Sequence, residues 1–275
     1  LTLSCVLQSW TLHDYYGEPG ENNKWPHVSS SFGSYDLAGI SKAAAWWYRA
    51  WWLGNISATD AGRPPVAPAD SVFCHLAESW QNSSTGVRTL NVYTNAPFAR
   101  ILVNGIIPST GGPVSVDKYG SARFTGVQFV EGNVTAEAIA TSDSEVALAS
   151  DSKHSWGKAA AVLLSLDAPS VATGTGKAVF LDGSDVALVR ATIVDENGIV
   201  VHNSTANVTF AVSTGPARVA AVGNGDPADH TPAHVAWKPC YHGLARAIVQ
   251  TTLKATGDQR SRALEALVNP EAGVG

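Results

Sequence analysis

W-T-L-H-D-Y-Y-G-E-P-G-E-N-N-K-W-P-H-V-S-S-S-F-G-S-Y-D-L-A-G-I-S-K, residues 10–42, holds most of the chemistry in this 275-residue chain. Aromatic rings, acids, amides and Gly-Pro turns crowd together here, the composition of a long functional loop rather than of a regular element. The short apolar run before it, residues 3–10, suits a buried strand that delivers Trp10 to its C-terminal end. After it, Ser41 stands where an N-cap belongs, A-A-A-W-W-Y-R-A-W-W-L has helical character, and Gly54 occupies the C′ stop position. Strand, loop and helix make one βα unit over residues 1–57. A parallel strand needs covered neighbours, so the missing strands are expected before residue 1.

Residues 58–70, A-T-D-A-G-R-P-P-V-A-P-A-D, are dense in proline and small side chains and read as an extended linker. Beyond them the period becomes two. V-R-T-L-N-V-Y-T, F-A-R-I-L-V-N-G, A-R-F-T-G-V-Q-F and N-V-T-A-E-A-I-A alternate between turn signals, predicting an antiparallel sandwich over 71–156. A second series runs from A-A-A-V-L-L-S-L through D-V-A-L-V-R-A-T-I-V, a Glu-Asn-Gly hairpin signal, N-V-T-F-A-V and A-R-V-A-A-V-G to L-A-R-A-I-V-Q-T-T-L. It predicts another sandwich over 157–256, leaving 257–275 as a tail.

Composition narrows the function. A net charge of -5 with only 15% charged residues offers no basic face for nucleic acid. No apolar run approaches the roughly 18 residues of a membrane span. Methionine is absent and the opening residues lack the pattern of a signal peptide, so the chain reads as a piece of something longer. Three cysteines, Cys5, Cys74 and Cys240, lie far apart and form neither a disulfide framework nor a C-x-x-C metal motif. Asn55, Asn82, Asn133, Asn203 and Asn207 each open an N-x-S/T sequon, more than the abundance of serine and threonine alone would give. That excess points to a glycosylated protein of the secretory pathway.

Several residues carry both a chemical and a structural reading. Trp10, where a strand meets a polar loop, can stack on the apolar face of a sugar ring or fill a core. Asp14, Glu18, Glu21 and Asp36 are the local carboxylates, and a glycosidase needs two of them about 5 Å or more apart. Turn and capping roles explain Glu18 and Asp36 more simply. Asp226, Asp229, His230 and His234 have metal-ligand chemistry, yet Pro227 and Pro232 interrupt them, which favours an ordered turn-rich loop. T-G-T-G-K-A lacks the spacing of a phosphate loop. The helix tryptophans Trp46, Trp47, Trp51 and Trp52 supply more ring surface than one core-facing stripe requires, consistent with packing on two neighbours.

W-T-L-H-D-Y-Y-G-E-P, W-P and S-S-S-F-G-S-Y-D-L-A-G-I-S-K, followed by an aromatic helix, resemble the last βα unit of the catalytic barrel in glycoside hydrolase family 2, particularly its β-galactosidase branch. V-Y-T-N-A-P-F-A-R-I-L-V-N-G resembles that family's first accessory sandwich. D-G-S-D-V-A-L-V-R-A-T-I-V-D-E-N-G-I-V-V, V-G-N-G-D-P and Y-H-G-L-A-R-A-I-V-Q resemble its C-terminal sandwich. The motifs arrive in the family's order and cover most of residues 10–253.

The resemblance implies a mainly β chain: two Ig-like antiparallel β-sandwiches preceded by the last βα unit of a TIM-type (β/α)8 barrel. It implies that Trp10 lines a sugar subsite and that Asp14 and Tyr15 match the following D-Y pair, with Asp14 bonding either the loop or substrate hydroxyls. Leu12 and His13 depart from the family's usual residues, as do Ile40 and Ser41 beside the retained Lys42. The family hydrolyses O-glycosidic bonds with retention, using two glutamates on earlier barrel strands, and neither has a counterpart here. The expected partners are a β-galactoside or related carbohydrate and the N-terminal barrel portion of the same protein. No cofactor or metal is implied. The competing expectation is a carbohydrate-binding or structural sandwich module without chemistry.

Overall fold

In the computed structural model, residues 10–19, 24–54, 72–167 and 183–252 are described. The strand expected at 3–10, the linker, Asn55, Glu21, Cys5, the T-G-T-G-K-A run and the tail lie outside them. The chain divides into two units: one joins the opening loop, up to Ile40, to the region from Trp156 onward; the other is Ser41–Ser155.

In the Ser41–Ser155 unit, helix α1 spans Ala43–Gly54. The strands are β1 (Cys74–Leu76), β2 (Val87–Thr94), β3 (Phe98–Val103), β4 (Val114–Ser115), β5 (Ser121–Gln128), β6 (Asn133–Ile139) and β7 (Ala149–His154). They form two antiparallel sheets, β1-β2-β5 and β4-β3-β6-β7. Alternation explains the layering. Leu90, Val92, Ala122 and Phe124 from one sheet meet Ala99, Ile101, Val134 and Ala136 from the other in a single core. Trp80 is fully buried there, its indole N–H donating to the Val130 carbonyl at 2.9 Å.

The helix packs on this sandwich through its rings. Trp46 stacks on His75 with centroids 4.6 Å apart, Trp51 meets Tyr119 edge-on at 5.5 Å, and Ala50 is fully buried. Trp52 stays 58% exposed, so one side of the aromatic helix is not used by this unit.

Under His75, Asp151 ties the edge strand to the sheet. Its carboxylate accepts the Leu76 N–H at 2.9 Å and lies 3.2 Å from His75 Nδ1 and 3.1 Å from Lys153 Nζ. Burial pushes its pKa up, but these donors outweigh burial and hold it at about 2. The folded value lies below the unfolded one, so the stabilisation is complete above about pH 4 and is lost as pH falls through 2. With solvent screening at a partly exposed site it is worth about 1 kcal/mol. Asp151→Asn is therefore expected to remove about that amount at pH 6 and much less at pH 2, as measured by denaturant unfolding at the two pH values.

The other unit contains β8 (Ala161–Asp167), β9 (Val186–Val194), β10 (Asn207–Thr209), β11 (Ala217–Gly223), β12 (Trp237–Pro239) and β13 (Leu244–Thr251). A four-stranded antiparallel sheet in the order β11-β13-β9-β8 faces the β10-β12 ribbon. Ala191, Ile193, Ala245, Ala247 and Val222 pack against Val208, Phe210 and Cys240 between them. The Glu-Asn-Gly hairpin signal gives a turn with one bridge, Val194 to Val200, rather than two paired strands. Asp195 explains this: its carboxylate accepts both the Asn197 and Ile199 N–H groups at 2.9 Å, closing the turn on itself.

Alternation leaves Leu188, Arg190, Arg246 and Ile248 on the outer face of the four-stranded sheet. Residues 36–40 of the opening loop lie over this face, where Arg246 Nη1 donates to the Ala38 carbonyl at 2.5 Å.

Candidate functional site

The opening loop contains no regular element among its described residues; two segments, 12–15 and 30–35, hold each other in place. Asp14 N–H donates to Tyr35 O and Tyr35 N–H to Leu12 O, both at 2.9 Å, while Ser30 N–H donates to Tyr15 O at 2.9 Å. Asp14 is only 9% exposed, and its Oδ1 accepts the Gly33 N–H at 2.7 Å. A Cβ on Gly33 would stand 2.4 Å from the Asp14 nitrogen, so only glycine lets the two segments approach this closely. Of the two roles open to Asp14, loop bonding is the one seen.

This lattice presents an aromatic wall. Trp10 is 74% exposed and its indole N–H donates to the Tyr15 hydroxyl at 3.3 Å. The hydroxyl in turn donates to the Glu18 carboxylate, and this hydrogen bond stabilises the protonated phenol and raises the Tyr15 pKa above its ordinary value. Phe32 meets Tyr15 edge-on, with centroids 5.8 Å apart. Thr11 and Glu18, flanking this chain of contacts, adopt left-handed φ values of 68° and 46°. Such residues cost about 1–3 kcal/mol each and persist only where surrounding contacts over-determine them. The wall is therefore preorganised: a flat, open indole whose polar edge is fixed from behind.

Three of the four carboxylates weighed from sequence are in use by the loop. Asp14 holds Gly33, Glu18 holds Tyr15, and Asp36 Oδ1 accepts the Ala38 and Ile40 N–H groups at 2.9 and 2.8 Å. Asp36 thus closes a turn before the helix instead of capping it. Burial raises its pKa, only partly offset by those two N–H donors.

The loop rests on the turn-rich segment 224–234. Val28 N–H donates to Pro227 O at 3.0 Å, and His230 Nε2 lies 2.7 Å from Pro26 O. Asp226 and Asp229 accept the Ala228 and Thr231 N–H groups at 2.8 Å, and buried Lys238 sits 2.7 Å from Asp229. Burial pushes the Asp229 pKa up, but Lys238 and Thr231 hold it below the usual range. Among the described residues no cluster of three or more acids, histidines or cysteines could hold a metal. A cleft of about 440 Å³ remains between loop and sheet, lined by His13, Tyr16, Leu37, Leu188, Arg246 and Ile248 among others.

Sequence reasoning missed Gly33, Phe32 and Arg246. Gly33 was legible only as part of F-G-x-x-D, and Arg246 carried no signal beyond its place in a strand.

Residues 172–264 match the family model described as glycoside hydrolase family 2 C-terminal domain 5. Over these residues the chain is of the glycoside hydrolase family 2 C-terminal type. It is 27% identical over 243 residues to Beta-galactosidase BoGH2A of Bacteroides ovatus, covering 88% of this chain and 25% of that protein. The chain thus spans about a quarter of the length of that curated relative. A β-glycosidase structure from Bacteroides vulgatus superposes with a TM-score of 0.68 at 24% identity, over 90% of this chain and 28% of that one. A family 2 glycosyl hydrolase from Bacteroides cellulosilyticus gives 0.67 at 20% identity, over 90% and 33%. At these identities the structural likeness is one of fold. Among the described residues no helix is long and apolar enough to cross a membrane.

Proposed function

We propose that the chain is the C-terminal part of a retaining, β-galactosidase-like glycoside hydrolase, supplying one wall of the sugar subsite and two Ig-like accessory sandwiches. Residues 1–57 form the last βα unit of its TIM-type barrel, and the catalytic glutamates belong to the N-terminal barrel portion, the chain's partner. The protein is secreted, with glycans on exposed sequons such as Asn82, Asn203 and Asn207. Trp10 stacks on the sugar, Tyr15 fixes the indole edge and Asp14 positions the loop.

The observation that carries this reading is an indole 74% exposed yet tethered through Tyr15 to Glu18. An exposed ring with a fixed edge is preorganised for stacking, whereas a core tryptophan would be covered. The engaged state of Asp14, Glu18 and Asp36 fits a chain that binds without cleaving. A purely structural module is the second reading, favoured by the same commitment of carboxylates.

Two measurements test it. The chain alone is expected to show no turnover of nitrophenyl β-galactoside; hydrolysis abolished by mutating one of its own acids would overturn the division of labour. Lactose is expected to quench tryptophan emission saturably, with Trp10→Ala weakening binding about tenfold, or about 1.4 kcal/mol. Equal quenching in the variant would remove Trp10 from the site.

A further inference from the structure

A second aromatic surface lies on the same unit. Trp25 is 78% exposed and Trp237, on β12, is 42% exposed, and both line an open groove of about 570 Å³. Pro26, Pro232 and Pro239 complete its apolar surface, while Asp226, Asp229 and Thr231 supply its polar atoms. The groove shares no residue with the Trp10, Tyr15 and Phe32 wall.

The Trp25 ring is held by its neighbours, and Trp237 is placed by its strand. Trp25 lies against the His230 ring with centroids 4.6 Å apart, and His230 also bonds the neighbouring Pro26 carbonyl at 2.7 Å. Trp237 stands beside Lys238, which is only 4% exposed and reaches both Asp229 and the Thr231 carbonyl, at 2.7 and 2.5 Å. The Trp25 ring therefore has little conformational freedom left to lose when a ligand arrives. The charges also choose among ligands. Lys238, buried and paired with Asp229, does not line the groove, whereas Asp226 does and offers an acceptor for hydroxyl groups. Exposed indole faces beside hydroxyl acceptors match a neutral sugar, apolar on one ring face and polar at its edge.

We propose that the groove lined by Trp25 and Trp237 is a second glycan-binding site, taking a neutral oligosaccharide by ring stacking independently of the Trp10 subsite. Its role is to hold a longer glycan on the C-terminal unit.

The test uses the whole 275-residue chain carrying Trp10→Ala, so that the first subsite is removed. Calorimetric titration with β-1,4-galactotetraose and with cellotetraose is expected to show saturable binding of at least one. Adding Trp237→Ala should weaken it at least tenfold, and Trp237→Phe, which keeps a ring, by less. An unchanged unfolding midpoint shows that the variants remain folded. Binding that is indifferent to Trp237 overturns the proposal, as does the absence of binding to either tetraose. Saturable binding of decaproline in place of both sugars also overturns it, identifying the groove as a polyproline site. Lactose quenching by Trp10 is read separately, so either site can fail without the other.

Discussion

Replacing Gly225 with alanine is expected to destabilise the loop-bearing unit by about 3 kcal/mol, the range of overpacking a filled site. A Cβ there would stand 2.0 Å from Asp36 Oδ2 and 2.6 Å from its Cγ. Asp36 has no retreat: it is 8% exposed, and its other oxygen is held by the Ala38 and Ile40 N–H groups. Gly225 is not among the left-handed glycines, so the cost is steric rather than conformational. A double-mutant cycle isolates it. Asp36→Ala alone should cost about 1–2 kcal/mol for the lost turn bonds, and the double variant less than the sum of the two single changes. Denaturant unfolding measures all three. A Gly225→Ala chain as stable as the parent would show that the loop does not sit on the 224–234 segment. Because Asp36 follows Tyr35, whose backbone pairs with Leu12 and Asp14, the same variant should disturb lactose quenching through Trp10.

Arg246→Ala should cost about 2 kcal/mol, the scale of losing hydrogen bonds made by a charged donor to a buried carbonyl and a partly exposed carboxylate. Arg246 is 8% exposed and bridges two parts of the unit, donating from Nη1 to the Ala38 carbonyl and from Nη2 to Asp167. Asp167 keeps Arg190, at 3.1 Å, so its charge remains partly compensated; the Ala38 carbonyl loses this donor. Arg246→Lys retains charge but not the planar fork that spans both acceptors, and is expected to lose about half as much. Unfolding curves of the two variants give the comparison. Equal stability of Arg246→Lys and the parent would reduce the fork to a simple charge.

Both expected losses concern contacts that join distant parts of the sequence, and this marks where legibility ended. The strands β2, β3, β5, β6 and β9 could be read in advance because stretches of each alternate in burial, and β11 and β13 because their runs are apolar and lie between turn signals. Helix α1 could be read because alanine, the strongest helix former, opens the run and Gly54 stands where a helix stops. By contrast, β7 reads A-S-D-S-K-H, with no apolar face, and exists because its backbone pairs with β6 while Asp151 gathers the donors around it. β12 reads W-K-P, and buries a lysine that no hydropathy pattern would place inside.

The site divides in the same way. The residue types at Trp10, Asp14 and Tyr15, and their kinship with a family of glycosidases, were determined by sequence alone, because motif spacing is a local property of the chain. The tertiary structure decided that Asp14 serves the loop, that Trp10 is open and held at its edge, and that the loop lies on the C-terminal sheet. The Arg246 to Ala38 bond spans 208 residues, and the Gly225 to Asp36 contact is similarly remote in sequence. Their strength depends on burial and sub-ångström clearance, which exist only once the chain has folded.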